Sequence, residues 1–370
     1  MTKGGSCRIT IAHTVSAALL LFGIPTATRA AASPLSLPPM VIARQGAFEI
    51  GGKIIGTAAK TLSCDHGYME YQIPQRPRAV SMVMWHSSSA KVWQTRWDGG
   101  EGFQSMFLRR GYPVYLWDGP RVGRANWSCE AVTSSAAPGA DQGNFAAWRL
   151  GTSWPNWFPG VQFPIASPEA WDQATRARYE EFDTTSNVRL QSDAAALAMD
   201  KIGPVVILTN SAGGFRAIMT HIKAETSNIK AIVAYENPGF VFPSGEMPEQ
   251  TPGMFGPLEV SLADFKKLTK IPMQFVWGDN IDKTSTPFWS KTFRLCRAFV
   301  EAVNRHGGRA EILRLRDVGL AGNTHIPFAD LNNDKVAKQL DIFLKRNRLN
   351  GYAAVPKRAK NPAVDSLKGS

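Results

Sequence analysis

The sequence predicts an α/β protein with a mostly parallel sheet, and three features carry that reading. Apolar strand-like runs alternate with helical stretches over residues 188–346, a more polar and antiparallel-looking start precedes them, and at 204–215 a strand, a small-residue turn and a helix follow one another directly. Parallel strands covered by helices on both faces read as unbroken apolar runs, whereas an antiparallel edge sheet alternates. A chain of 370 residues is ample for one such domain.

In chain order, Lys3 and Arg8 precede an apolar run over 9–24 and then T-A-T-R-A-A-A, the layout of an export signal cleaved after Ala30 or Ala32. The run is short for a membrane span and is followed by Pro25. Residues 1–32 are therefore expected to be a signal peptide and 33–350 a single domain. Residues 351–370, basic and without apolar periodicity, are expected to be a disordered tail. With no later transmembrane segment expected, the mature chain is placed in the periplasm or outside the cell.

G-A-F-E-I-G-G-K-I-I-G at 46–56 reads as a β-hairpin, followed by strands near 67–73 and 79–85. A helix near 102–110 leads to strand 113–117, ending at Asp118, which is read as structural. After an irregular stretch at 121–187 come helix 188–202, strand 205–209, a helix to about 226, strands 229–235 and 273–277, helix 288–306, strand 309–315 and a final helix 334–346. This order describes an α/β-hydrolase fold, a mostly parallel eight-stranded sheet with helices on both faces. The irregular stretch is an aromatic-rich cap insertion after strand four, over the sheet's carboxyl edge. Its Trp127, Phe145, Trp148, Trp154, Trp157, Phe158, Phe163 and Trp171 either line a pocket for an apolar or ring-bearing group or form the insertion's own small core.

Removing residues 1–32 takes away Lys3, Arg8 and Arg29 and no acid, which lowers the formal charge from +12 to +9. The excess is diffuse, with part of it in the tail at Lys357, Arg358, Lys360 and Lys368, and no aromatic-interleaved basic stripe points to nucleic acid. Cys7 leaves with the signal, and Cys64, Cys129 and Cys296 remain, so one disulfide and one free thiol are expected in an oxidising compartment, with Cys64–Cys129 the preferred pair. No metal-ligand spacing and no dinucleotide glycine motif is present, and no cofactor is expected.

The chemistry is carried by T-N-S-A-G-G-F. A serine hydroxyl is a poor nucleophile until a base takes its proton, and it meets substrate best from a sharp strand-to-helix turn at the end of a sheet. Ser211 sits on such a turn, and Ala212, Gly213 and Gly214 keep bulk away from it. The Ala212 N–H, at the start of the helix, is an expected oxyanion donor. Asn210 stands where the first small residue of this turn usually is, a mild departure because asparagine tolerates unusual backbone angles.

The base must be a later histidine. His221 falls on the elbow helix and His306 before the last strand, whereas His325, in G-L-A-G-N-T-H-I-P, follows that strand and fits. The acid has two candidates, each directly after a strand: Glu236 in A-Y-E-N-P and Asp279 in V-W-G-D-N-I-D, with Asp282 nearby. General topology of the fold favours Asp279.

The stretch at 98–125, the elbow N-S-A-G-G, A-Y-E-N-P, V-W-G-D-N-I and the helix C-R-A-F-V-E-A-V-N-R-H-G-G leading to G-N-T-H resemble a small family of secreted bacterial serine esterases within the α/β-hydrolase superfamily. The likeness covers most of residues 45–348. It implies a glutamate acid after strand six, which matches Glu236 and ranks it above Asp279, with Ser211 as nucleophile and His325 as base. The family has adjacent cysteines, a vicinal disulfide beside the oxyanion hole. Here W-H-S-S-S puts Ser87 and Ser88 at those positions, so that disulfide is absent and the Ser87 N–H is the expected second oxyanion donor. The function implied is hydrolysis of a small-molecule or oligomeric carboxylic ester with an apolar or aromatic group. The same residues would serve an amidase, lactonase, thioesterase or polyester hydrolase, and a non-catalytic binding protein is the reading outside enzymes.

Overall fold

The computed structural model describes residues 38–182, 184–248, 255–284 and 287–354. Two compact units are distinguished, Met1–Pro39 and Met40–Ser370; the first falls almost wholly outside the described residues, and the fold below is that of the second. The expected export signal and the tail beyond residue 354 also lie outside the described residues. The start of the tail is described: the Ala79 N–H donates to Gly351 O, and Tyr352 bridges to Arg78. Among the described residues no helix is long and apolar enough to cross a membrane.

One eight-stranded sheet organises the chain, from β1 (Ile42–Thr57), β2 (Lys60–Pro74), β3 (Ser81–His86), β4 (Val114–Asp118), β5 (Val205–Asn210), β6 (Ile229–Tyr235), β7 (Pro272–Trp277) and β8 (Arg309–Arg314). Its spatial order is β1-β2-β4-β3-β5-β6-β7-β8, antiparallel across β1, β2 and β4 and parallel from β4 to β8. The helices are α1 (Phe103–Arg109), α2 (Ala140–Ala147), α3 (Ala170–Arg176), α4 (Thr185–Ile202), α5 (Ala212–Lys223), α6 (Leu262–Leu268), α7 (Phe288–Arg305) and α8 (Asn333–Arg346). Every residue of β4, β5 and β7 is buried, as both-face coverage requires. One apolar cluster gathers Ala194, Phe215, Ile218, Phe265, Leu295 and Phe299 from α4 to α7. The other gathers Phe103, Phe107, Val336, Leu340 and Phe343 from α1 and α8, together with Phe145, Phe158 and Phe163 of the cap. The fold is that of an α/β hydrolase with a cap insertion after β4.

The amino-terminal hairpin differs from expectation. Gly51 and Gly52 do not form its turn; β1 runs through them unbroken and the chain reverses between Thr57 and Lys60. Both glycines have φ near +75°, and a Cβ on Gly52 would lie 2.4 Å from Cys64 O. The pair resembles a turn because it meets the same backbone demand within a close strand approach. Cys64 on β2 is disulfide-bonded to Cys129 in the cap, with Cα atoms 5.1 Å apart, and Cys296 is a buried free thiol.

Candidate active site

Ser211 links β5 to α5 with φ 53° and ψ −139°, a strained region for any residue with a side chain. Backbone bonds from Ser211 N–H to Tyr235 O (3.0 Å) and from Gly214 N–H to Ser211 O (2.9 Å) hold it there. A Cβ on Gly213 would lie 2.9 Å from Trp85 O and one on Gly214 2.7 Å from Asn237 Cγ, so only glycine lets α5 approach β3 and the loop after β6. Asn210, fully buried, donates from Nδ2 to Tyr235 O (3.2 Å) and to His325 O (2.9 Å). The departure from the usual small residue is therefore a tether between the elbow and the histidine loop.

That loop follows β8 and carries His325. Its N–H donates to Trp148 O (2.9 Å) of the cap. Buried Asp330 braces the loop from within, accepting from Thr324 N–H (2.7 Å), Thr324 Oγ1 (2.9 Å) and Asn323 Nδ2 (3.0 Å). The His325 Nδ1 atom lies 3.8 Å from Glu236 Oε2, and the Trp289 ring packs 4.6 Å from the imidazole. Burial holds the His325 pKa below the ordinary histidine value; Glu236 opposes that shift and Arg149 reinforces it.

Glu236 stands directly after β6 with φ 57°, its N–H bonded to Val276 O (2.9 Å). Its carboxylate is wholly buried. Oε1 accepts from Gly278 N–H and lies 2.6 Å from Arg149 Nη2, while Oε2 is the oxygen on the His325 side. Asp279 is engaged elsewhere. Its Oδ2 accepts from Gly322 N–H (3.0 Å), its Oδ1 lies 3.4 Å from Arg316 Nε and its N–H donates to Asn323 O (2.8 Å), so it braces the stretch leading to His325. His221 bonds Lys267 O (3.1 Å) and His306 bonds Glu246 (2.8 Å), both outside this site. Asp118 accepts from Arg124 Nε (2.7 Å).

At the end of β3, His86 Nδ1 accepts from the N–H groups of Ser88 (2.9 Å) and Ser89 (3.4 Å). This commits both donors; among the described residues the Ser87 N–H, 3.5 Å from where a Gly213 Cβ would sit, is the uncommitted one of the three. Buried Arg216 Nη1 holds the Ser87 carbonyl (3.2 Å). Burial, with the charges of His325, Arg178 and Arg216, pushes the His86 pKa down to about 3, so the ring is neutral at ordinary pH. The Ala212 N–H stands at the first position of α5.

Ser211, His325 and His86 line one cavity of about 310 Å³, walled by Trp148, Pro238, Phe255, Phe288 and Trp289, with Arg178, Glu180 and Glu181 also on its lining. Of the cap aromatics, Trp148 reaches it. Phe145, Trp154, Trp157, Phe163 and Trp171 pack mainly on one another, and Trp127 is exposed. A larger cavity of about 420 Å³, between residues 91–99 and α3, contains none of the expected catalytic residues. Sequence reasoning missed Arg149, Arg216 and the bracing Asp330, because nothing in W-R-L, F-R-A or A-D-L marks a side chain that will be buried against a distant loop.

No family model matches the chain. It is similar to a probable secreted lipase, phiG, of a fungal species (strain ATCC 74256), 23% identical over 321 residues that span 75% of this chain and 85% of the relative. Among solved structures it is similar to a novel bacterial esterase, with a TM-score of 0.70 and 25% identity over 84% of this chain and 98% of the other. Sheet order, elbow and these likenesses together make the chain a member of the α/β-hydrolase superfamily.

Proposed function

We propose that the protein is an exported serine esterase acting on small carboxylic esters. The observation that carries the reading is the presence of Ser211 and His325 on one aromatic-walled cavity, with the Glu236 carboxylate behind the imidazole. His325 takes the Ser211 proton as the serine oxygen attacks the ester carbonyl. The N–H groups of Ala212 and Ser87 receive the oxyanion. Collapse expels the alcohol, protonated by His325, and leaves an acyl-enzyme; water, deprotonated by the same imidazole, then releases the acid. Glu236 orients the imidazole and offsets its charge. Its Oε2 lies 3.8 Å from Nδ1, a charge contact longer than a hydrogen bond.

The similar proteins, an esterase and a probable secreted lipase, favour esters over amides. The cavity volume, at the small end for ligand sites, and its aromatic walls favour a compact apolar or aromatic group over a long acyl chain. The Cys64–Cys129 disulfide suits an oxidising compartment, in keeping with an export signal. Ser211→Ala should abolish turnover of p-nitrophenyl esters with the fold intact, and turnover retained in that variant would overturn the reading. Glu236→Gln should reduce kcat far more than Asp279→Asn; the reverse order would transfer the acid's role to Asp279.

A further inference from the structure

We propose that Arg149, presented by the cap insertion, is the positioning residue that holds Glu236 charged and turned toward His325, which makes the cap a working part of the catalytic arrangement; this rests on the serine mechanism above. The residues at the end of α2 grip the start of α7, the histidine loop and the segments after β6 and β7. The Ala147 carbonyl accepts from Trp289 Nε1 (2.8 Å) and the Trp148 carbonyl from His325 N–H (2.9 Å). Arg149 donates from Nε to Asp279 O (2.8 Å) and sets Nη2 2.6 Å from Glu236 Oε1. Its backbone, at φ 58°, is in the left-handed region, a conformation kept in a non-glycine residue only where surroundings demand it. The guanidinium also lies 4.9 Å over the Trp289 ring, which packs against the His325 imidazole as well.

Both Arg149 and Glu236 side chains are 0% exposed, so neither charge can look to water. A buried carboxylate without a counter-ion takes up a proton, and a protonated acid no longer supports an imidazolium. With Arg149 and the Gly278 N–H on Oε1, the carboxylate keeps Oε2 for the imidazole. Among the described residues, Cys296 of α7 interacts electrostatically with Glu236, Asp330 of the histidine loop with Arg149, and His86 from the end of β3 with His325. His86 is neutral, and burial raises the pKa of both the Cys296 thiol and the Asp330 carboxyl, so neither of these supplies the cation that Glu236 needs.

Loss of the guanidinium has one sign by either route. If Glu236 stays charged, His325 loses a cation that disfavours its protonation and keeps its proton to higher pH. If Glu236 takes up a proton, the base is unsupported until higher pH. Both move the acidic limb of kcat/KM upward.

The test is the pH profile of p-nitrophenyl acetate hydrolysis by the full chain and by Arg149→Met and Arg149→Lys. Arg149→Met is expected to lower kcat by about 10- to 100-fold with KM little changed, and to raise the acidic limb by about one pH unit. Arg149→Lys, which keeps the charge, should leave the limb in place. A fall in kcat with the limb unmoved would reduce Arg149 to a structural role and overturn the proposal, as would an unchanged enzyme. If Arg149→Met does not fold, Arg149→Met/Glu236→Gln removes the uncompensated charge. That double variant should fold and turn over no slower than Glu236→Gln alone, and a further multiplicative loss, or failure to fold, would also overturn the proposal. Activity surviving in Ser211→Ala would instead sink the serine reading itself, so the two failures are distinguishable.

Discussion

Asn210→Gly would restore the small residue usual at the start of this elbow, yet the structure predicts a loss. The Asn210 carboxamide donates to Tyr235 O and His325 O. Tyr235 O keeps a bond from Ser211 N–H at 3.0 Å, so little is lost there. Among the described residues, His325 O has Asn210 as its recorded donor, and orphaning a buried carbonyl costs about 1–3 kcal/mol. Glycine in a strand adds about 0.5–1 kcal/mol in backbone entropy. The sum is about 1.5–4 kcal/mol. The same tether sets where the histidine loop meets the elbow, and a 1 Å misplacement of a catalytic group costs about 100-fold in rate. Urea denaturation with kcat/KM on a p-nitrophenyl ester measures both effects. The isosteric Asn210→Asp sharpens the test, because it turns a carboxylate toward two carbonyl oxygens and should destabilise more than Asn210→Ala. An Asn210→Gly enzyme of parental stability and turnover, or an Asn210→Asp enzyme as stable as the parent, would refute the tether.

Three further outcomes are expected. Cys64→Ser/Cys129→Ser opens a link of sequence separation 65 and should cost about 4 kcal/mol by loop-closure entropy; a denaturation midpoint unchanged from the oxidised parent would contradict it. His86, held at about 3 in the fold, is protonated first in the unfolded chain, so its contribution is complete above the ordinary value of 6.5 and is lost as pH falls toward 3. Between pH 7.5 and 4.5 that amounts to about 3 kcal/mol, and His86→Asn should flatten the decline in urea midpoint; an equal decline in both proteins would remove His86 as its source. Gly214→Ala puts a Cβ 2.7 Å from Asn237 Cγ in a fully buried contact and should cost about 1–3 kcal/mol, read from the thermal midpoint; an unshifted midpoint would mean the loop after β6 yields freely.

By itself the sequence determines the parallel strands, the elbow and the histidine after the last strand, because each is a local record. Burial on both faces writes V-V-I-L-T as an apolar run, and close approach of α5 writes Gly213 and Gly214. The acid is only half legible: Glu236 and Asp279 each follow a strand, the residues alone cannot separate them, and resemblance ranks them. Gly51–Gly52 is misread because a strand distortion and a tight turn ask the same backbone freedom of glycine. Tertiary structure alone decides that Asp279 faces Gly322 and Arg316, that Asn210 tethers His325 and that a cap arginine lies against Glu236. Those pairings join segments tens to more than a hundred residues apart. A residue's local pattern registers its own burial and backbone angles, while its partner is set by where the distant loops come to rest around the sheet.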